Sequence, residues 1–142
     1  MSTTSKSLEL FLNLAKTQAM LSRRFDNSLG GLGFNEFIIL YHLSQAPDQK
    51  LSRITLSEKL GLTASGITRI LLPMEKIGLV GKETHIHDAR ISLVLLAPGG
   101  KNKLTEALER ADFFIADVLR TTKKQEITLL NVFLTELGKA LK

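Results

Sequence analysis

The sequence contains no cysteine. Structural disulfides, thiolate metal sites and cysteine-based oxidant sensing are therefore excluded. There is no tryptophan, only one tyrosine and three prolines, and aromatic residues make up 6% of the chain. No apolar run approaches the ~20 residues of a membrane-spanning helix. The polar start, Met1 to Lys6, has no apolar stretch behind it, so no signal peptide and a cytoplasmic location are expected. There is no internal repeat, low-complexity tract or Pro/Gly-rich linker. No nucleophile–base pair and no paired-carboxylate motif is visible, so neither an enzyme nor a cofactor is expected. Gly30-Gly31-Leu32-Gly33 lacks the preceding strand of a dinucleotide loop and reads as a helix–helix connection.

What is present is a globular composition, 44% apolar and 23% charged over 142 residues, enough for one domain spanning 1–142 with a real core. The net charge of +5 is unevenly placed. Residues 50–103 carry nine basic and four acidic side chains, while the segments on either side balance. A basic segment between neutral ones is the footprint of a polyanion-binding module, although a solvated basic face has the same signature.

Hydrophobic spacing predicts a long helix over residues 7–29, apolar on two sides through Leu8, Phe11, Leu12, Ala15 and Ala19 and through Leu10, Leu14 and Leu21. A second helix is expected over residues 35–44. Pro47-Asp48 marks a turn, and Leu51 to Ile54 is a strand or a lead-in. Thr55-Leu56-Ser57-Glu58 matches a capping box that would start a helix at Leu56, which Gly61 ends. Thr63 caps the next helix, from Ala64 to about Ile77, which Gly78 terminates. Pro73 lies inside it and predicts a kink or a loosened last turn. Two strands follow over residues 79–86 and 91–96, with His87-Asp88-Ala89 as the turn between them. Pro98-Gly99-Gly100 reads as a third break. Beyond it lie an apolar-striped helix and a last helix with Ile127, Leu130, Leu134, Leu137 and Leu141 at seam spacing.

Short helix, glycine turn, longer helix and hairpin is the order of a winged helix-turn-helix, within a mainly α (α+β) fold. In such a motif the second helix enters the major groove. Here its first turns carry Ala64, Ser65, Gly66, Thr68 and Arg69, small or polar, with Ile67, Ile70 and Leu71 opposite as core. Arg69 can offer a bidentate fork to guanine or phosphate. Lys82, His85, His87 and Arg90 gather around the hairpin with few acids to cancel them, and arginine suits a narrow, electronegative minor groove. Asp88 reads as an orienting partner for Arg90.

The run from Thr55 to Leu71, with Leu-Thr-x-Ser-x-x-Thr-Arg inside it, then Met74 to Val80, then Asp88-Ala89-Arg90, resembles the MarR (multiple antibiotic resistance regulator) family over nearly the whole chain. The resemblance implies a transcription regulator, a repressor acting as a triangular homodimer with interlocking termini, in which residues 34–100 form the DNA-binding lobe and residues 1–30 and 101–142 the dimerisation helices. By matching position it implies groove and phosphate contacts from Thr63, Ala64, Ser65, Gly66, Thr68 and Arg69, a phosphate contact from Arg53, and a minor-groove arginine in Arg90. It also implies a small-molecule effector, for which Leu12, Met20, Phe25, Phe37, Tyr41 and Phe113 are candidates, with plain core the favoured reading for each. Many members carry a basic residue beside the wing acid where this chain has His87.

Blander readings remain open. His85, His87 and Asp88 could be imagined around a metal, but a solvent-facing wing makes DNA or water the expected partner, and no metal is expected. His42, on an apolar helix, reads as core or pocket wall. A winged helix used only for protein–protein contact would keep the fold, and its docking face should be more apolar than the Ser65/Thr68/Arg69 face.

Overall fold

The computed structural model describes residues 3–142, with side chains from Ser5 onward. It contains α1 (Thr3–Ser28), α2 (Phe34–Gln45), a short 3₁₀ turn (Pro47–Gln49), β1 (Lys50–Ser52), α3 (Arg53–Leu60), α4 (Ala64–Lys76), β2 (Val80–Thr84), β3 (Ser92–Leu96), α5 (Pro98–Val118) and α6 (Lys124–Ala140). The chain divides into two compact units, Met1–Ala111 and Asp112–Lys142, the division falling within α5. None of the described helices is long and apolar enough to cross a membrane.

In the first unit α1 gives the core only its last turns, where Phe25 is buried and Leu29 follows. Phe25 stacks on Phe34 with ring centroids 4.3 Å apart. The turn between them passes through Gly30 and Gly31 at φ +69° and +93°, a conformation L side chains rarely adopt. Two carboxylates then close the start of α2: Asp26 Oδ1 accepts from the Phe34 amide and Glu36 Oε1 from the Gly33 amide, both at 2.7 Å. Acidic acceptors there satisfy orphan N–H groups and favour the helix dipole. The glycine-rich stretch is thus the helix connection expected.

The core is built from Ile39, Leu40 and Leu43 of α2, Leu56 of α3, and Ile67, Leu71 and Met74 of α4. Helix α3 begins earlier than the capping-box pattern suggests. Its cap is Ser52, whose Oγ accepts the Thr55 amide at 3.1 Å and donates to Thr55 Oγ1 at 2.9 Å. Thr55 lies inside the helix. Ser52 can turn the chain because it ends β1, where it is paired with Leu93.

Helices α3 and α4 end alike. Gly61 and Gly78 are left-handed, at φ +68° and +80°. Leu62 N donates to Ser57 O and Gly61 N to Glu58 O; Leu79 N donates to Met74 O and Gly78 N to Glu75 O. This paired pattern satisfies the last carbonyls and turns the chain sharply. Pro73 does not end α4, which continues to Lys76. Leu71 and Met74 on either side of it are buried, and their packing holds the turn that lacks one bond.

The hairpin belongs to a three-stranded antiparallel sheet ordered β1-β3-β2. Val80 pairs with Leu96, Lys82 with Val94 and Thr84 with Ser92. Val94 and Leu96, two residues apart, face the core together. The strands are shorter than the sequence suggests, because the ladder stops at Thr84 and Ser92 where the wing tip begins.

Pro98-Gly99-Gly100 is not a break but the first turn of α5. Proline is pre-set for a first helical position. The glycines answer to steric demand: a Cβ on Gly100 would collide with the Leu79 carbonyl, and one on Gly99 would sit 2.8 Å from the Gly78 carbonyl. Gly100, Leu104, Ala107 and Ala111 then form the buried stripe of α5.

The second unit holds the end of α5 and α6. Glu126 Oε1 accepts the Lys123 amide at 3.0 Å to close the start of α6. No residue of α6 is buried in the single chain. Leu129, Leu130, Val132, Phe133 and Leu134 are exposed.

Candidate nucleic-acid interface

Helix α4 is divided lengthwise. Ala64, Ser65 and Arg69 are exposed, Gly66 and Thr68 are half-buried, and Ile67 and Leu71 fill the core behind them. Ile70, expected in the core, is only half-buried. Thr63 caps the helix as expected: its Oγ1 accepts the Gly66 amide at 3.1 Å and lies 3.2 Å from Ser65 Oγ. The two hydroxyls and the open amides of the first turn form one polar edge, where anions are favoured.

Arg53, in the first turn of α3, does not extend into solvent. Its Nη1 donates to Thr68 Oγ1 at 3.3 Å, and its Nε is buried without a partner. The Thr68 hydroxyl in turn donates to the Ala64 carbonyl at 3.1 Å.

On the wing, Arg90 and Asp88 form a two-pronged pair, Nε to Oδ1 at 3.1 Å and Nη2 to Oδ2 at 3.2 Å. The Arg90 amide also donates to Asp88 Oδ1 at 3.0 Å. The guanidinium and this amide hold the Asp88 carboxyl below the usual aspartate range. Asp88 thus orients the arginine, whose side chain remains 90% exposed. His85 Nδ1 accepts the His87 amide at 3.1 Å, and the two rings lie 6.0 Å apart. These bonds engage donors that a metal site would need, and no cluster of metal-ligating side chains occurs among the described residues.

One expectation for the wing fails. Its cations are not short of acids: Lys82 Nζ lies 3.6 Å from Glu75 of α4, and Lys50 Nζ 2.8 Å from Glu83 of β2. The Glu83 hydrogen bond holds the Lys50 ammonium above its ordinary range. Lys82 is therefore a tethered cation, and Arg90 carries the outward charge. Two further residues escaped the sequence reading. Glu75 gave no local signal, because its partner is set by how α4 meets β2. Ile86, the apolar residue between the two histidines, is exposed at the wing tip.

The candidate effector residues do not share one environment. Phe25 is core. Phe37 is half-buried, while Leu12, Met20 and Tyr41 are exposed, so plain core fails for these three in the single chain. Phe113 belongs to the second unit and is 77% exposed. His42 is half-buried with its ring edge-on to Tyr41 at 5.6 Å. Burial, and secondly the charge of Lys59, push its pKa below the usual histidine value.

Comparison with known proteins agrees with this arrangement. The MarR family model matches residues 34–92. The HTH-type transcriptional repressor YetL of Bacillus subtilis (strain 168) is 32% identical over 104 residues, 72% of this chain and 62% of YetL. The chain thus spans less than two thirds of that relative. The crystal structure of the transcriptional regulator BldR from Sulfolobus solfataricus superposes with a TM-score of 0.84 at 27% identity, covering 98% of this chain and 99% of BldR. The structure of Sco3205, a MarR family transcriptional regulator from Streptomyces coelicolor in complex with DNA, superposes with a TM-score of 0.86 at 18% identity. It covers all of this chain and 91% of Sco3205, a likeness of fold.

Proposed function

The chain belongs to the MarR family through residues 34–92, and from that premise we propose that it is a transcription regulator, a repressor, that binds a pseudo-palindromic DNA duplex as a homodimer. The observation that carries the reading is the division of α4. Its small and polar residues stand exposed while Ile67 and Leu71 anchor it from behind. A helix with such a thin polar edge fits the major groove, about 12 Å wide, and can bring Arg69 to a guanine edge.

In this reading Thr63, Ala64, Ser65, Gly66, Thr68 and Arg69 face the groove and its phosphates, and Arg53 lies behind them. The wing residues Lys82, His85, His87 and Arg90 lie along the flanking minor groove, with Asp88 aiming Arg90. Dimerisation is supported by the uncovered apolar side chains of α1 and, separately, of α6. Lone apolar residues on a surface are ordinary, but contiguous ones mark association sites. A small apolar effector completes the proposal, with Leu12, Met20 and Tyr41 as candidate contacts.

The test is a salt series on a labelled mixed-sequence duplex. Log affinity should fall linearly with log salt, with a slope reporting several neutralised phosphates. A slope near zero would contradict duplex binding.

A further inference from the structure

We infer that Arg53 is a positioning residue that fixes which bases Thr68 accepts. The inference rests on the regulator reading above and assigns Arg53 a role other than a phosphate contact.

The argument is an inventory of one hydroxyl. A threonine hydroxyl has one proton to donate and two lone pairs to accept with. In the free protein the Thr68 proton goes to the Ala64 carbonyl, and one lone pair takes the Arg53 Nη1 hydrogen. What remains is one lone pair and the methyl group. So held, Thr68 can accept from an adenine or cytosine amino group or touch a thymine methyl. It has no proton for the O6 and N7 acceptors of guanine.

The guanidinium is what makes this state persist. A helical threonine bonds the carbonyl four residues back in only some rotamers and divides its time between two. The second tie, from another helix, selects one. Arg53 is built for that task and poorly placed for a phosphate: its Nε is buried without a partner, which shows the guanidinium drawn against α4. Its other neighbour in sequence, the cap residue Ser52, is fixed by the Thr55 bond and the β1 ladder, so the stem of Arg53 starts from a rigid point.

The consequence is that base preference at one position of each half-site depends on a residue that touches no base. Loss of Arg53 frees the Thr68 hydroxyl to rotate and to donate, and guanine becomes acceptable there.

The experiment uses the full chain and a duplex obtained by selection from a random pool. Affinity is measured for that duplex and for the set carrying each base at each half-site position, with wild type, Arg53→Ala, Thr68→Val and the double variant. Wild type should disfavour guanine at one position, and Arg53→Ala should relax that discrimination by about 3- to 10-fold, the range of one hydrogen bond. Thr68→Val, which keeps the shape and loses the hydroxyl, should retain the discrimination. The double variant should behave as Thr68→Val, showing that Arg53 acts through the hydroxyl.

A uniform loss across all sequences with a lower salt slope would make Arg53 a phosphate contact and overturn the proposal. So would additivity of the two substitutions in a double-variant cycle of denaturant unfolding, a readout that needs no DNA. Failure of wild type to retain any duplex would instead bring down the regulator reading, and this proposal with it.

Discussion

Arg69 and Arg90 are both exposed, yet they should fail differently when removed. Arg69 stands on the polar edge of α4 with no ion pair among the described residues, so its fork is available to a base. Arg69→Ala should weaken binding to a selected site by ~1–3 kcal/mol and relax preference at one position. Unchanged affinity at fixed salt would count against α4 as the reading helix. Arg90 is held by Asp88 and aimed outward. Arg90→Ala should weaken binding to all sequences and lower the salt slope by about one. Asp88 stays ionised well into acid, because its carboxyl lies below the usual range. That pairing is present above the ordinary aspartate pKa and is lost only as pH falls through the lowered value. His42 gives a different window. Its folded pKa is below 6.5, so the unfolded chain binds the proton more readily and stability should fall as pH drops below about 6.5. Melting curves of wild type and His42→Gln from pH 8 to 5.5 check this; equal pH dependence would show that His42 has no part in it.

Among the elements, α3, α4 and the start of α5 are set by different kinds of information. Gly61, Thr63 and Gly78 were legible because capping is decided within five or six residues, and the structure places each where the sequence predicts. Ser52 was not, because its cap role depends on β1 ending there, and β1 exists only through pairing with β3, some forty residues on. The Thr55–Glu58 pattern was a local imitation of a cap. The same long-range cause hid the ion pairs Lys82–Glu75 and Lys50–Glu83, which the sheet register and its packing on α4 create. The polar edge of α4 was visible as residue types, but the Arg53–Thr68 link across two helices was not. Two predictions belong here. Ser52→Ala should cost about 0.5–2 kcal/mol in denaturant unfolding, more than Thr55→Val; the reverse order would restore Thr55 as the cap. Gly100→Ala should destabilise by about 1–3 kcal/mol, since its Cβ would meet the Leu79 carbonyl, Leu96 and Leu40. A neutral change would mean that α5 shifts freely against β2.

At the scale of the whole molecule, sequence and structure agree that charge and apolar surface are kept apart. The excess positive charge lies in residues 50–103, and the largest uncovered apolar side chains outside them are on α1, the end of α5 and α6. A polyanion and a second copy of the chain are the two partners this separation suits. Sedimentation at micromolar concentration should give a dimer of the 15.7 kDa chain. A single monomeric species would remove the symmetry on which a palindromic site depends. The most direct measurement is selection of bound duplexes from a random pool by the full chain. The account predicts enrichment of inverted half-sites with centres about one helical turn apart, ~34–36 Å, lost together with the enrichment in Arg69→Ala. A pool that stays unenriched at low salt, or that yields the same sites with Arg69→Ala, would contradict it.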